Sequence, residues 1–119
     1  MNSNLINLLK HIPILSDVDE DDLADVVKNT TSKTYKKGQY IIHEGEKGET
    51  FYIIESGKVQ VLRKNDRDEE EVVAALYPDN FFGEMALLNE KPRNASIRCL
   101  EDCRVYVFKK KDFYSFLYL

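Results

Sequence analysis

The chain has 119 residues, 43% of them hydrophobic and 32% charged, which suits one soluble globular domain with a conventional core. Its net charge of −4 argues against a nucleic-acid binder, whose domain should carry a basic stripe, and Lys36-Lys37 and Lys109-Lys110-Lys111 read as solvated faces. Apolar runs stop at four or five residues, and Met1-Asn2-Ser3-Asn4 lacks a signal-peptide pattern, so the expectation is no membrane span and a cytoplasmic setting.

Residues 1–33 read as helical. Leu5, Ile6, Leu8, Leu9 and Ile12 recur at helical spacing and stop at Pro13, which cannot continue the ladder. Asp19 is placed to cap a second helix, with Asp22 three residues on and an apolar stripe of Leu23, Val26 and Val27. The acidic run Ser16 to Asp22 favours the helix dipole and lacks the central glycine of a calcium loop.

Over residues 34–108 the period changes to short β-branched and aromatic runs: Tyr40 to His43, Phe51 to Glu55, Lys58 to Lys64, Val72 to Leu76, Ser96 to Leu100 and Arg104 to Phe108. Ser56-Gly57 reads as a tight hairpin, and Asn65 to Glu71 as an exposed polar tip. Such regular spacing predicts an antiparallel β-barrel or jelly roll, mainly β with flanking helices. Residues 109–119 begin a C-terminal helix with Asp112, Phe113, Phe116 and Leu117 on an amphipathic pattern. The whole chain, 1–119, is one domain.

Cys99 and Cys103 lack companion ligands, which suggests two buried thiols rather than a zinc site or a disulfide framework. His11 and His43 form no His-x-His pair, which disfavours a metal-dependent cupin. No nucleophile–histidine arrangement and no glycine-rich kinase loop can be read from these residues, so no catalytic residue, metal or cofactor is expected.

One helical interruption of the β series carries the chemistry. In residues 82–96 Gly83 precedes Glu84 and the apolar run Met85 to Leu88, and Arg93 follows nine positions after Glu84, behind Pro92 and ahead of Asn94, Ala95 and Ser96. Glycine at a helix start lets a ligand approach the backbone, and the free N–H groups of the first turn favour an anion. An arginine folded over that spot adds a planar fork of donors suited to phosphate, each charge-assisted bond contributing roughly 1.5–3 kcal/mol. Glu84 fits beside a phosphate only if it accepts hydrogen bonds from neutral hydroxyls, as on a ribose. Phosphate with ribose indicates a nucleotide.

Gly83-Glu84-Met85-Ala86-Leu87-Leu88 with Pro92-Arg93-Asn94-Ala95-Ser96 resembles the phosphate-binding cassette of cyclic nucleotide-binding domains, the sensor modules of cyclic nucleotide-dependent kinases, gated channels and bacterial regulators. The resemblance extends to Glu44-Gly45 and Gly57 and covers roughly residues 5–118. It implies that the interrupting helix binds the phosphate, that Arg93 holds its exocyclic oxygens, that Glu84 takes the ribose 2′-hydroxyl and that the Ala86 N–H meets the phosphate. Ala95 is small so that its strand can stay close to the ligand. Phe82 is core or a ligand contact, while Met85, Leu87 and Leu88 are chiefly wall and core.

Base preference rests on Asn94, where cyclic GMP sensors often carry Thr or Ser and cyclic AMP sensors Ala, and the resemblance leans slightly to cyclic GMP. The arginine that some family members place on the preceding strand is Ala74 here. The resemblance further implies that a helix starting near Lys110 reports to a protein kinase catalytic domain, in cis or in trans, with the effector and lid beyond Leu119. Two alternatives remain: a silent interaction domain of the same fold, and the ligand-sensing domain of a channel or transcription regulator.

Overall fold

The computed structural model describes residues 2–117. Helix α1 spans Asn2–Lys10 and gives way, through a 3-10 turn at Pro13–Leu15, to α2 at Glu20–Lys28. Leu5, Leu9, Ile12, Leu15, Leu23, Val26 and Val27 are buried together, as the helical spacing predicts. Asp19 takes the N-cap position, but its side chain makes no capping hydrogen bond, and the three acids of the first turn supply the favourable dipole contact instead.

The described residues form eight strands: β1 (Thr31–Tyr35), β2 (Tyr40–Ile42), β3 (Thr50–Ser56), β4 (Val59–Lys64), β5 (Glu70–Leu76), β6 (Phe81–Phe82), β7 (Ser96–Cys99) and β8 (Cys103–Lys109). They build two four-stranded sheets in the orders β1-β8-β3-β6 and β2-β7-β4-β5, with antiparallel pairing throughout. The sheets pack face to face as the walls of the expected barrel. β1 begins before residue 34 and was not legible in the sequence, because Thr-Ser-Lys-Thr-Tyr is a polar, mostly exposed edge strand. The two-residue β6 was not legible either.

One turn departs from expectation. Ser56-Gly57 joins β3 to β4, yet these strands lie in different sheets, so the turn is a corner of the barrel and not a hairpin. The hairpin with the polar tip is β4–β5, where the Asn65 carboxamide oxygen accepts from the Arg67 and Glu69 N–H groups.

β3 is buried on both faces, and this organises the molecule. Phe51 and Ile53 point out to the helices, with Phe108 and Phe113, whereas Tyr52 and Ile54 point into the barrel with Ile42, Val59, Phe82, Ile97 and Val105. Phe51 stacks on Phe108 at 4.8 Å between centroids and meets Phe113 at 5.5 Å. Complete burial of each such ring contributes about 1.5–3 kcal/mol. This cluster clamps the C-terminal segment, a 3-10 turn at Lys110–Phe113 leading into α3 (Tyr114–Leu117), against the barrel. The side chains of Phe116 and Leu117, and residues 118–119, lie outside the described residues. Both cysteines are buried free thiols. Among the described residues, no helix is long and apolar enough to cross a membrane.

Candidate ligand-binding site

The chain enters the site along β6, where Phe82 pairs with Tyr52 of β3 and stacks on its ring at 4.9 Å. Phe82 is thus buried barrel core as well as a wall of the site. Gly83 follows with φ of 81°, a left-handed conformation costly for any residue with a Cβ, and caps a single 3-10 turn over Glu84–Leu87. The interruption is therefore shorter than the helix expected from sequence. Buried Ala86 and Leu87 anchor the turn, Leu87 reaching the core shared with the helices. Met85 and Leu88 are exposed by 49% and 53%.

The chain returns along residues 89–95 and is pinned at Arg93. The Arg93 N–H donates to the Glu46 carbonyl at 2.7 Å, and the Gly45 N–H donates to the Arg93 carbonyl at 2.8 Å. Three residues further on, the buried Ser96 hydroxyl accepts from the Glu44 N–H at 2.8 Å, while a Glu44 carboxylate oxygen accepts from the Lys64 N–H at 2.9 Å. The Glu44-Gly45 turn thus fixes where the arginine leaves the backbone.

From there the Arg93 side chain lies across Gly48 and Gly83. Its Nη1 donates to the Gly83 carbonyl at 3.1 Å, and its Nη2 donates to the Thr50 carbonyl at 2.8 Å and the Thr50 hydroxyl at 3.3 Å. Among the described residues no Asp or Glu forms an ion pair with Arg93. Burial pulls the guanidinium pKa down, and nearby Tyr52 and Glu46 oppose that pull. The result is a half-buried cation held by neutral oxygens, with Glu46 acting on it electrostatically but no carboxylate in direct ion pairing among the described residues.

Two cavities flank it. One, of about 160 Å³, is lined by Gly48, Gly83, Glu84, Met85 and Ala86, with Asn89 and the segment from Lys91 to Asn94 on the returning chain. The other, of about 230 Å³, is lined by apolar barrel residues Ile42, Val61, Leu76, Phe81, Phe82 and Ile97 together with Ala95. Gly83, Glu84, Arg93 and Asn94 border both. The arrangement offers a cation and a carboxylate at the junction of a polar compartment and an apolar one, suited to a ligand with an anionic end and a flat apolar end.

All the sequence-nominated residues from Phe82 to Ala86 and from Arg93 to Ala95 line one or both cavities, and Ser96 lines neither. Ala74 stands exposed on β5, outside both. Sequence reasoning missed Gly48 and Thr50 as partners of the arginine. Gly48 was visible only as a turn signal, and Thr50 only as a residue bordering a strand.

A barrel interrupted by one glycine-capped turn beside an arginine without a direct ion-pair partner among the described residues offers a site for a small anionic ligand. Comparison with known proteins makes the class specific. The family profile of the cyclic nucleotide-binding domain matches residues 32–118. The chain is 38% identical over 109 residues to the cAMP-dependent protein kinase regulatory subunit of Yarrowia lipolytica, covering 92% of this chain and 28% of that protein. It is 36% identical over 92 residues to human cGMP-dependent protein kinase 2, covering 76% of this chain and 12% of that one. Among solved structures, the cAMP-bound regulatory domain of Toxoplasma gondii PKA superposes with a TM-score of 0.81 at 28% identity, over 98% of this chain and 45% of that one. The regulatory subunit of a cAMP-independent protein kinase A from Trypanosoma brucei gives a TM-score of 0.79 at 27% identity, over 96% and 42%.

The chain belongs to the cyclic nucleotide-binding domain family. It is a regulatory binding domain of the kind found in cAMP- and cGMP-dependent kinases, not a catalytic one, and it spans less than a third of the length of the two kinase proteins just named.

Proposed function

We propose that the domain binds a purine cyclic nucleotide, cGMP or cAMP, with its phosphate on Arg93 and its ribose 2′-hydroxyl on Glu84. The observation that carries this reading is the Arg93 guanidinium, held between Gly83 and Thr50 with no carboxylate partner among the described residues. A phosphate entering the polar cavity meets that charge together with backbone of the glycine-capped turn, where Gly83 and Ala86 leave the approach open. The base then lies toward Ile42, Val61 and Leu76, in the apolar compartment. Asn94 borders both compartments, and a polar amide at this position supports a slight preference for cGMP over cAMP. In the full-length protein the domain regulates a protein kinase catalytic domain, in cis or in trans, in the cytoplasm.

Titration calorimetry with cGMP, cAMP and AMP, beside Arg93→Lys, tests the reading. The expected result is saturable binding of a cyclic nucleotide, weakened by about tenfold or more in Arg93→Lys because the bidentate fork is lost. Absence of binding to any of the three, or equal affinity in the variant, would overturn it. The first of these outcomes favours a silent interaction domain of the same fold.

A further inference from the structure

Arg93 is held by more than backbone. Thr50 and Tyr52 sit two apart on β3, so their side chains share the strand face that looks into the barrel. The Arg93 Nη2 donates to the Thr50 hydroxyl at 3.3 Å, and that hydroxyl donates onward to the Tyr52 phenolic oxygen at 2.9 Å. The Tyr52 ring is buried and locked by its stack on Phe82, at 4.9 Å and 16° between planes, in the strand pair that delivers Gly83. Neither Thr50 nor Tyr52 lines either cavity beside the arginine. The hydroxyl pair therefore supports the guanidinium from outside the lining of both cavities.

We infer that Thr50 and Tyr52 are positioning residues for ligand capture, a two-hydroxyl relay that holds the Arg93 fork in its anion-binding orientation. The inference rests on the cyclic-nucleotide reading above. An arginine side chain has several rotatable bonds, and fixing them before the ligand arrives lowers the ordering cost of binding. The Thr50 and Gly83 carbonyls set two directions for the fork. The relay adds a third contact, to a hydroxyl that is itself hydrogen-bonded to a buried, stacked ring. A backbone carbonyl cannot be removed by substitution, whereas these hydroxyls can, so the relay is the adjustable part of the clamp.

The test is calorimetry with cGMP and cAMP on the unsubstituted chain, Tyr52→Phe, Thr50→Val and the double variant, combined with nitrogen-15 spectra of the Arg93 side chain. Tyr52→Phe keeps the ring stack, and Thr50→Ser serves as the conservative rescue. The expected result is a loss of roughly 3- to 10-fold in affinity for each single variant, the equivalent of about one neutral hydrogen bond. The double variant should lose little more than either single one, since both cut the same relay. Thr50→Ser should restore binding, and the Arg93 guanidinium resonances should shift toward rotation-averaged lines in Tyr52→Phe and Thr50→Val.

Unchanged affinity in Tyr52→Phe while the unsubstituted chain binds overturns this inference alone. So does a loss of affinity that tracks a lowered melting temperature with the Arg93 resonances unmoved, which marks a merely structural role. No binding by the unsubstituted chain overturns the functional reading and this inference with it.

Discussion

Replacing Gly48 by alanine separates the binding role of Arg93 from its role in the fold. A Cβ on Gly48 would stand 2.2 Å from both Cζ and Nε of Arg93 and 2.7 Å from Nη1. Non-bonded heavy atoms settle at about 3.5–4.0 Å, so the guanidinium must move by roughly 1.5 Å. A shift of that size breaks the 2.8 Å and 3.1 Å bonds to the Thr50 and Gly83 carbonyls and takes the fork off its line to the cavity. If one charge-assisted bond to phosphate is lost, worth roughly 1.5–3 kcal/mol, affinity falls by about 10- to 150-fold. The fold should be largely spared. What moves is the far end of a flexible side chain, and Gly48 does not occupy a left-handed conformation, so alanine is compatible with its backbone. The assay is calorimetry with a cyclic nucleotide beside thermal unfolding of the same sample. A folded Gly48→Ala protein with affinity within twofold of the unsubstituted chain would refute the placement of Arg93 as the phosphate ligand.

Glu84→Gln keeps the shape of the turn but weakens the acceptor proposed for the ribose, so cyclic nucleotide binding should fall by about 3- to 30-fold. A 2′-deoxy cyclic nucleotide should bind both proteins almost equally; a full loss with that ligand too would show that Glu84 acts elsewhere. Burial is the leading cause that pushes the Cys99 thiol up to about 12, and neighbouring Cys103 and Asp102 add to it. The folded state therefore keeps its proton where the unfolded chain, with an ordinary value of 9.0, has released it. That contribution to stability is complete below about pH 9 and declines as pH rises from there toward 12. Urea midpoints at pH 8 and pH 10.5 should fall further in the unsubstituted chain than in Cys99→Val, and equal slopes would contradict the assignment.

Much of the site was legible because its chemistry is concentrated in one segment. Gly83, Glu84 and Arg93 suggest an anion with a sugar through residue type and spacing, and the structure brings all three to the junction of two cavities. What supports Arg93 from outside that segment was hidden. Gly48 and Thr50 reach the arginine only after β3 has paired with β6, and no local pattern announces a contact separated by 43 positions. The same limit explains the misread Ser56-Gly57 corner, since local turn chemistry does not say which sheet each flanking strand will join. β3 itself reads as a continuous apolar run rather than an alternation, and its reason is architectural: one face serves the barrel and the other the helices.

That two-faced strand also connects the arginine to the C-terminal segment. Glu49 lies between Gly48, over which Arg93 is folded, and Thr50, to which Arg93 donates, and its carbonyl accepts from the Lys110 N–H at 2.9 Å. Lys110 opens the C-terminal 3-10 turn, whose Phe113 is buried with Phe51 and with Leu87 of the glycine-capped turn. Three consecutive residues therefore join the guanidinium to the start of the C-terminal segment by one hydrogen bond, and Leu87 joins the other side of the site to the same segment through packing. Close-packed side chains transmit a displacement instead of absorbing it. On the proposed reading, a ligand seated on Arg93 and the Glu84–Leu87 turn touches both connections, so the Phe113 ring resonances should shift on saturation with a cyclic nucleotide; unmoved resonances at saturation would refute the coupling. The C-terminal segment is thus joined to the site from two sides, by the Lys110–Glu49 hydrogen bond and by the packing of Phe113 with Leu87.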